Sequence, residues 1–544
     1  MTQPSTFISI DQNSHSLWDT LPKLEVLSRR GISGTHLLED IDTAFTRRGA
    51  KPGDKSLELA RERVYRDGSL DWGAALFYSD FLGRTPVDVR EIETYLGASL
   101  KSLAKKAGKS VEGIFADYGA SDNWQLIGTS YAQDELHHRT VGDLRISEVA
   151  PFLHQLVDHA EENLAEVFPE NAAQLRIGAW FAAEKDRLQT LLGHCGNAPL
   201  TQLYHAWLED YLRDGPVSLG YTSNHFQLDA TACQPASPLI QLIIEQYHAF
   251  AECYNRAVSE TSTGIAPLDI EKGELPLFAV WRHEKRLVRS PVFLTDNELQ
   301  AGNHSWPLNG DGSLPAEQMQ RHGVAALAGK ALVLALQVRL PPCPAPLVLP
   351  YNGSLYMPAA HRLSTLLQEQ GLLTTEPLPI YRVRFRLLER MREVGTLIAL
   401  PQYLHEYMSA STLPADEVAA NLPQSVARAT QRLEALKNKS TRDAEVSNMT
   451  PELSARIREL EEKRRELAMN PATRSQAGEI WNEAKDLRRQ QTLDLMQGVV
   501  NALHVTNIDY WDSRGALLPW CVALGGEKFY NSVIDNAEIY AETP

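Results

Sequence analysis

The sequence predicts an α/β protein with a large, mainly helical N-terminal part and a C-terminal antiparallel coiled-coil arm. Three observations predict this fold class: helical spacing of apolar residues in the first half, a strand, glycine turn and helix in the middle, and long charged helical stretches after them. We expect four units in the 544 residues. They are a mainly helical domain (1–265), an α/β domain (266–415), the coiled-coil arm (416–505) and a C-terminal segment that packs back on the α/β part (506–544).

Two helices of the N-terminal part have clear start signals. Ser147 is a candidate N-cap, and Pro151 falls in the first turn, where a missing backbone N–H costs little. A second helix begins near Ser237, carries an apolar stripe with helical spacing and ends before Gly264. The N-terminal part is therefore expected to be mainly helical.

The middle of the chain changes its hydrophobic period. Residues 331–338 form a long apolar run that predicts a buried strand, with a buried helix as the alternative. Residues 347–349 predict the core of another strand, which leads through a turn at 352–354 into a helical pattern over 359–370. Alternation over 381–387 predicts a further strand. This order of elements is typical of an α/β domain.

Charged helical stretches occupy 424–445, 451–469 and 476–503. Thr450 is a candidate cap of the second stretch, and Pro471 follows its end. Long charged helices separated by short turns indicate an antiparallel coiled-coil arm.

The overall charge excludes some classes of partner. Lys and Arg number 53 against 69 Asp and Glu, which gives a net charge of −16 and argues against a protein that coats nucleic acid or an anionic membrane. The 5 cysteines contain no CxxC pair, so a disulfide framework or zinc ribbon is not expected, and a reducing cytoplasm is. We find neither a signal-peptide pattern nor an apolar stretch long enough to span a membrane.

The turn after the 347–349 strand is a candidate anion site. Asn352, Gly353 and Ser354 stand between a strand and a helix, where backbone N–H groups can point at a bound anion. Ligands of open α/β sheets favour the carboxyl ends of strands. A tight Asn-Gly turn without a ligand explains the same residues equally well.

A row of arginines is the second candidate. Arg382, Arg384 and Arg386 alternate along a predicted strand, which puts their side chains on one face at intervals of about 6.6 Å. Such a row could bind a phosphate or carboxylate. The alternative, slightly favoured, is an exposed strand face paired with nearby acids such as Glu389.

Two Glu-x-x-His pairs form the third candidate. On helices, each pair would share a face and could bind one iron of a carboxylate-bridged di-iron site. The favoured alternative is a solvent-exposed face, because the second pair lies opposite the apolar stripe of its helix. The four residues are Glu135, His138, Glu245 and His248, with Glu184 and Glu209 as further carboxylates.

Two polar loops that carry aromatic residues are weaker candidates. Residues 121–131 and 218–225 have the composition of a small-molecule rim. Ordinary turns have this composition too, and that interpretation is favoured.

The second half of the chain resembles a known family. Residues Ala331 to Leu340, the strand and turn from Pro346 to Tyr356, the coiled-coil arm and the segment after it resemble the C-terminal half of the cysteine ligase family of bacillithiol synthesis. The helix that contains Ala249 to Ala257 and leads into Leu275 resembles segments of uncharacterised bacterial relatives. The resemblance covers about 240–544, and the N-terminal half departs from the glycine- and glutamine-rich opening of the family.

The resemblance implies a Rossmann-like core and a homodimer that forms through the coiled coil. It also implies a ligase-like step of the kind that couples cysteine to an amino sugar conjugate, with a nucleotide as a candidate cofactor. Gly353 and Ser354 are the positions that carry over to this chain.

The sequence thus favours a cytoplasmic biosynthetic enzyme, ligase-like, acting on a small anionic or amino-acid-derived metabolite, without a nucleic-acid or membrane partner. Gly353 and Ser354 would bind the anion through backbone N–H groups, and Arg382 and Arg384 would hold a carboxylate or phosphate. One alternative is a di-iron carboxylate oxidase or oxygenase in the N-terminal helices. Another is a coiled-coil scaffold without catalysis. No catalytic residue is identified from the sequence.

Overall fold

The computed structural model describes most of the chain. The described residues are 6–11, 17–41, 87–111, 113–114, 120–121, 138–212, 215–228, 237–261, 263, 265–283, 286–351, 354, 356–469, 471–506 and 517–542. Its strands are β1 (Thr6–Asp11), β2 (Ser33–Leu38), β3 (Val87–Asp88), β4 (Ala120–Ser121), β5 (His138–Arg139), β6 (Val217–Tyr221), β7 (Glu274–His283), β8 (Arg286–Thr295), β9 (Glu298–Ala301), β10 (His304–Pro307), β11 (Val324–Gly329), β12 (Leu347–Pro350), β13 (Ile380–Arg384), β14 (Leu397–Ala399), β15 (Thr412–Pro414) and β16 (Glu538–Ala541).

Helices connect and cover these strands. They are α1 (Leu17–Arg29), α2 (Val89–Leu96), α3 (Leu100–Ala107), α4 (Ile146–Val167), α5 (Asn171–Cys195), α6 (Leu200–Tyr211), α7 (Thr222–His225), α8 (Pro238–Glu245), α9 (Tyr247–Thr261), α10 (Ala316–Arg321), α11 (Ala331–Gln337), α12 (Met357–Glu369), α13 (Leu387–Met391), α14 (Gln402–Met408), α15 (Ala415–Lys437), α16 (Arg442–Met449), α17 (Pro451–Ala468), α18 (Arg474–Thr506) and α19 (Leu517–Asn536). The predicted α/β class is confirmed.

A six-stranded sheet forms the centre of the fold. Its order is β16-β13-β12-β1-β2-β6, and every neighbouring pair is parallel except β13 with β16. Taken in chain order, the strands follow the doubly wound pattern 3-2-1-4-5-6. Gly34 of β2 lies opposite Phe7 of β1, where a Cβ atom would stand 2.4 Å from the Phe7 carbonyl oxygen. The close approach of these two strands therefore requires glycine.

Both faces of this sheet are covered. Phe7 and Val348 face one hydrophobic core, whereas Ile8 and Leu347, their neighbours along the strands, face a second core. Alternation of apolar residues toward two cores is the pattern of a doubly wound sheet with helices on both sides.

The sheet crosses the predicted domain boundary at residue 265. β1, β2 and β6 come from the part expected to be a helical domain, while β12 and β13 come from the expected α/β part. The C-terminal segment returns to the same sheet, because β16 pairs with β13. The α/β core is thus assembled from three distant stretches of the chain.

A second sheet is antiparallel and has the order β10-β9-β8-β7-β11, with β5 paired to β8. β11 comes directly before the apolar run at 331–338. The run itself forms the helix α11, so the prediction of a buried strand is wrong and the alternative of a buried helix is right. The Gln337 amide binds Gly329 N–H and the Leu327 carbonyl, which ties α11 to β11. An apolar run buried on all sides carries no period that separates the two structures.

The charged helices divide into a packed part and an exposed hairpin. α15 begins at Ala415, earlier than predicted, and buries Val418 and Leu433 in the first core. α17 and α18 run antiparallel: Arg456 Nη2 lies 2.9 Å from Glu483 Oε1, and Gln491 Nε2 donates to Ser454 Oγ at 2.9 Å.

The state of the cysteines differs from the sequence expectation. Cys195, Cys253 and Cys521 are free thiols, but Cys343 is disulfide-bonded. One disulfide-bonded cysteine is not the disulfide framework that the sequence argued against, but the cysteine spacing did not predict it. Among the helices that the structure describes, none has the length and apolar character needed to cross a membrane.

Candidate functional site

The order of the parallel sheet reverses between β1 and β12. The chain proceeds from β1 to β2 and β6 on one side, and from β12 to β13 on the other. In open α/β sheets the crevice at the carboxyl ends of two such strands is where ligands bind. Residues 12–16 follow β1 and lie outside the described residues, so the description begins with the segment after β12.

That segment has the predicted strand, turn and helix order. β12 ends at Pro350, and α12 begins at Met357. Ser354 has a φ of 60°, and its carbonyl accepts the Met357 N–H at 3.0 Å. Asn352 and Gly353, the other two predicted anion-binding residues, lie outside the described residues.

Arg384 lies beside this turn. Its guanidinium carbon is 4.6 Å from the centre of the Tyr351 ring, a cation–π distance. Tyr540 of β16 contacts the same ring edge-on, with the ring centres 6.2 Å apart. The structure therefore brings Arg384, a predicted site residue, next to the predicted turn.

Arg382 makes internal contacts and is buried. Its Nε and Nη2 atoms bind the two Glu542 carboxylate oxygens at 2.8 and 3.1 Å, and Nη1 donates to the Pro350 carbonyl at 3.0 Å. Burial alone would raise the pKa of Glu542, but His361 and Arg382 lower it to about 2. Arg382 thus holds the chain that follows β16 against the sheet.

Arg386 is not on the strand face that the sequence predicts. β13 ends at Arg384, and Arg386 has a φ of 53° at the start of α13. Its guanidinium pairs with Glu389 at 2.9 Å and with Glu538 at 2.8 Å. The expected row of three is therefore two strand residues and one helix-cap residue, because the chain turns after Phe385.

A second polar cluster lies on the other side of β1. Asp40 follows β2 and Ser223 follows β6, and these neighbouring parallel strands end at the same edge. The Asp40 carboxylate accepts the Ser223 N–H at 2.9 Å and the Ser223 hydroxyl at 2.5 Å. Burial raises the pKa of Asp40 to about 6, although the Ser223 bonds lower it. A carboxyl group of this pKa can exchange a proton near neutral pH.

Arginines of the β7–β8 hairpin surround this cluster. Arg282 Nη2 donates to Ser223 Oγ at 3.3 Å and to Asn224 Oδ1 at 3.4 Å. Arg286 binds both Asp143 carboxylate oxygens, at 3.1 and 3.0 Å. The cluster therefore combines two arginines with two carboxylates, Asp40 and Asp143.

Sequence reasoning missed Asp40 and Arg282. The one signal that pointed here was the polar loop 218–225, which contains Ser223 and Asn224. The other polar loop, 121–131, is described only at Ser121.

The predicted metal residues are not shown together. Glu135 lies outside the described residues, and His138 lies on strand β5 opposite Arg289, not on a helix as predicted. Glu245 ends α8 and His248 lies in the next helix, α9, and both are exposed. The described part of the chain contains no group of three or more His, Cys, Asp or Glu side chains that could hold a metal ion.

The two extra carboxylates have other contacts. Glu184 is buried and accepts hydrogen bonds from Trp18 Nε1 at 3.0 Å, from Tyr211 and from Arg187. Glu209 Oε2 lies 3.7 Å from His205 Nδ1 on the same helix. Glu184 therefore serves a hydrogen-bond network among α1, α5 and α6.

No family model matches this chain, and neither a curated protein nor a solved structure matches it.

Proposed function

We propose that this chain is a biosynthetic enzyme, ligase-like, that binds a small anionic or amino-acid-derived metabolite at the carboxyl edge of its parallel sheet. The observation that carries the proposal is the strand order, which reverses between β1 and β12. Brought together at such a reversal, strand ends leave a crevice that suits a small ligand.

The residues around this edge support an anionic ligand. The backbone N–H groups of Gly353 and Ser354, with the Arg384 guanidinium beside Tyr351, are the proposed anion-binding groups. Arg382 is proposed to act indirectly, since its contacts with Glu542 and Pro350 fix the strand from which Arg384 extends.

Asp40 supplies a group that a condensing reaction needs. An amine or thiol nucleophile must lose a proton when it forms a new bond, and a carboxylate with a pKa near the working pH can accept that proton. Asp40 has this property and lies at the same edge of the sheet, where it would receive the proton through the Ser223 hydroxyl that is hydrogen-bonded to it at 2.5 Å.

Ligand-induced thermal stabilisation tests the proposal. The probes are ATP, ADP, cysteine and a phosphorylated sugar, and at least one should raise the melting temperature in a saturable manner. Arg384→Gln should lower the affinity of the chain for that ligand by roughly tenfold, which is the usual effect of losing a charge-assisted contact. Arg321→Gln, which removes an exposed arginine paired with Glu317, is the matched control and should change nothing. Absence of any shift with all four probes would contradict the proposal.

We also propose that two copies pair through the α17–α18 hairpin. Its surface carries Trp481, which is 43% exposed and lies between Arg464 and Arg488, and Met469 at the end of α17. Exposed large apolar side chains on a helical hairpin favour association with another helix pair.

Light scattering during size exclusion tests the pairing. The native chain should elute as a dimer, and Trp481→Glu should shift it toward monomer. Leu175→Glu changes an apolar residue on α5 that is 76% exposed, and it should leave the dimer intact. If the native chain is monomeric at a protein concentration on the order of tens of micromolar, the proposed pairing is contradicted.

A cytoplasmic location without a nucleic-acid partner completes the proposal. The acidic net charge supports the second part. The Cys343 disulfide does not support the cytoplasmic location expected from the sequence, because such bonds are rare in a reducing compartment.

A further inference from the structure

We propose that Arg282 and Asn224 bind the carboxylate or phosphate group of a second ligand at the carboxyl ends of β2 and β6, with Ser223 and Asp40 as positioning residues. This site lies on the opposite side of β1 from the turn after β12. Anion binding here does not depend on the proposed function, whereas a role as the second substrate subsite of a condensing enzyme rests on it.

The contacts of Arg282 differ from those of its neighbours. Arg286 meets a carboxylate, Asp143, in a bidentate pair. Arg289 donates to the Ile41 carbonyl at 3.2 Å and lies over the Phe278 ring. Arg282 is exposed, and the acceptors that its guanidinium reaches within the described part of the chain are the neutral oxygens of Ser223 and Asn224.

These two bonds are weak. At 3.3 and 3.4 Å they exceed the usual N–H···O distance of about 2.9–3.0 Å. A carboxylate or phosphate offers two charged oxygens that match the planar guanidinium fork at shorter distances. Exchange of the two neutral acceptors for an anion therefore strengthens the contacts of Arg282.

The site is fixed before a ligand arrives. Gln227 pairs with Ala326 of β11, and Leu228 N–H donates to the Ala325 carbonyl at 3.0 Å, so the segment after α7 is attached to β11. β11 also pairs with β7, which carries Arg282. One strand thus holds both halves of the site, and a rigid arrangement loses little entropy on binding.

Ser223 cannot itself donate to the anion. Its N–H and O–H are both taken by Asp40, so the available donors are the Arg282 guanidinium and the Asn224 side-chain NH₂. The Asp40–Ser223 bonds instead fix the start of α7, and with it Asn224. Arg282 interacts electrostatically with the Asp40 carboxylate and lowers its pKa, but the acceptors that its guanidinium reaches in the described part of the chain are the Ser223 and Asn224 oxygens.

Residue-resolved chemical modification tests the site without any substitution. Phenylglyoxal should modify Arg282, and saturating pyrophosphate should slow that modification by roughly fivefold or more, as expected when most sites are occupied. Arg321, exposed and paired with Glu317, is the internal control and should be slowed less than about twofold. An Arg282 rate that neither pyrophosphate nor inorganic phosphate changes would overturn the proposal.

Calorimetric titration with pyrophosphate at low ionic strength provides the second test. Arg282→Gln should weaken binding by about tenfold or more, and Arg282→Lys, which keeps the charge but loses the fork, should fall between it and the native chain. An unchanged melting temperature shows that each variant folds. Equal affinity of Arg282→Gln and the native chain would refute the assignment.

Failure of this inference is distinguishable from failure of the proposed function. If Arg384→Gln abolishes ligand stabilisation while Arg282 is not protected, only the second site is lost. If pyrophosphate protects Arg282 from modification but none of the four probes stabilises the chain, the anion site is supported and the enzyme proposal is contradicted.

Discussion

The two sides of β1 use arginine in opposite ways. On the β13 side, Arg382 is buried and its donors are satisfied by Glu542 and the Pro350 carbonyl. On the β6 side, Arg282 is exposed and makes two long bonds to neutral acceptors. The difference teaches that an arginine in the middle of a strand can serve the fold, while one near a strand end can stay exposed with weak contacts, as Arg282 does.

Removal of Arg382 should give the largest effect. Arg382→Met would leave the Glu542 carboxylate partly buried without its bidentate partner, and breaking such a pair costs about 3–5 kcal/mol. Urea denaturation should show a corresponding fall in the free energy of unfolding.

The double variant Arg382→Met/Glu542→Gln is the control. Because it also removes the carboxylate that has lost its bidentate partner, it should recover part of the lost stability. A single variant as stable as the native chain would mean that the Arg382–Glu542 pair does not fix the end of the chain.

The two carboxyl groups should give opposite dependences of stability on pH. Burial raises the folded-state pKa of Asp40 from 3.8 to about 6, so the folded state binds a proton there more readily than the unfolded state. Protonation of Asp40 therefore stabilises the fold as the pH falls from about 7 to 4. The shift of about two units corresponds to an order of 3 kcal/mol.

Glu542 acts in the other direction. Its folded-state pKa lies at about 2 against 4.5, so its contribution is present above pH 4.5 and is lost as the pH falls toward 2. As the pH is lowered from about 8 to 2, the free energy of unfolding should first rise and then fall. Asp40→Asn should remove the rise, and Glu542→Gln should remove the fall. If neither variant changes the curve, the pKa shifts of Asp40 and Glu542 do not control the stability of the fold.

Arg282 should contribute least to stability. Arg282→Gln removes two long bonds from an exposed side chain, so the free energy of unfolding should change by less than about 0.5 kcal/mol. The variant should nevertheless lose anion binding. A large loss of stability would place Arg282 with Arg382, among the residues that hold the fold.

Local patterns in the middle of the chain were informative. The strand at 347–350, the helix at 357–369 and the strand at 380–384 have the predicted types, because alternation and helical spacing are properties of short segments. Tyr351, which follows β12, and Arg384, which ends β13, also lie at one edge of the sheet, because these two strands are parallel neighbours.

Other elements could not be predicted from these patterns. Ile8 pairs with Leu347 from the opposite half of the chain, and a hydrophobic period does not specify such a partner. The run at 331–337 is buried on all sides, so only its packing against β11 decides that it is a helix.

By itself the sequence determined the α/β class, the acidic net charge and the local elements before and after the β12 turn, because composition and period are read directly from the residues. Only the tertiary structure decided the order of the parallel strands and the meeting of Asp40, Ser223 and Arg282. These three residues come from segments that follow β2, follow β6 and form β7. Burial and hydrogen bonding between such distant segments decide which charged side chains are satisfied by the fold and which stay exposed.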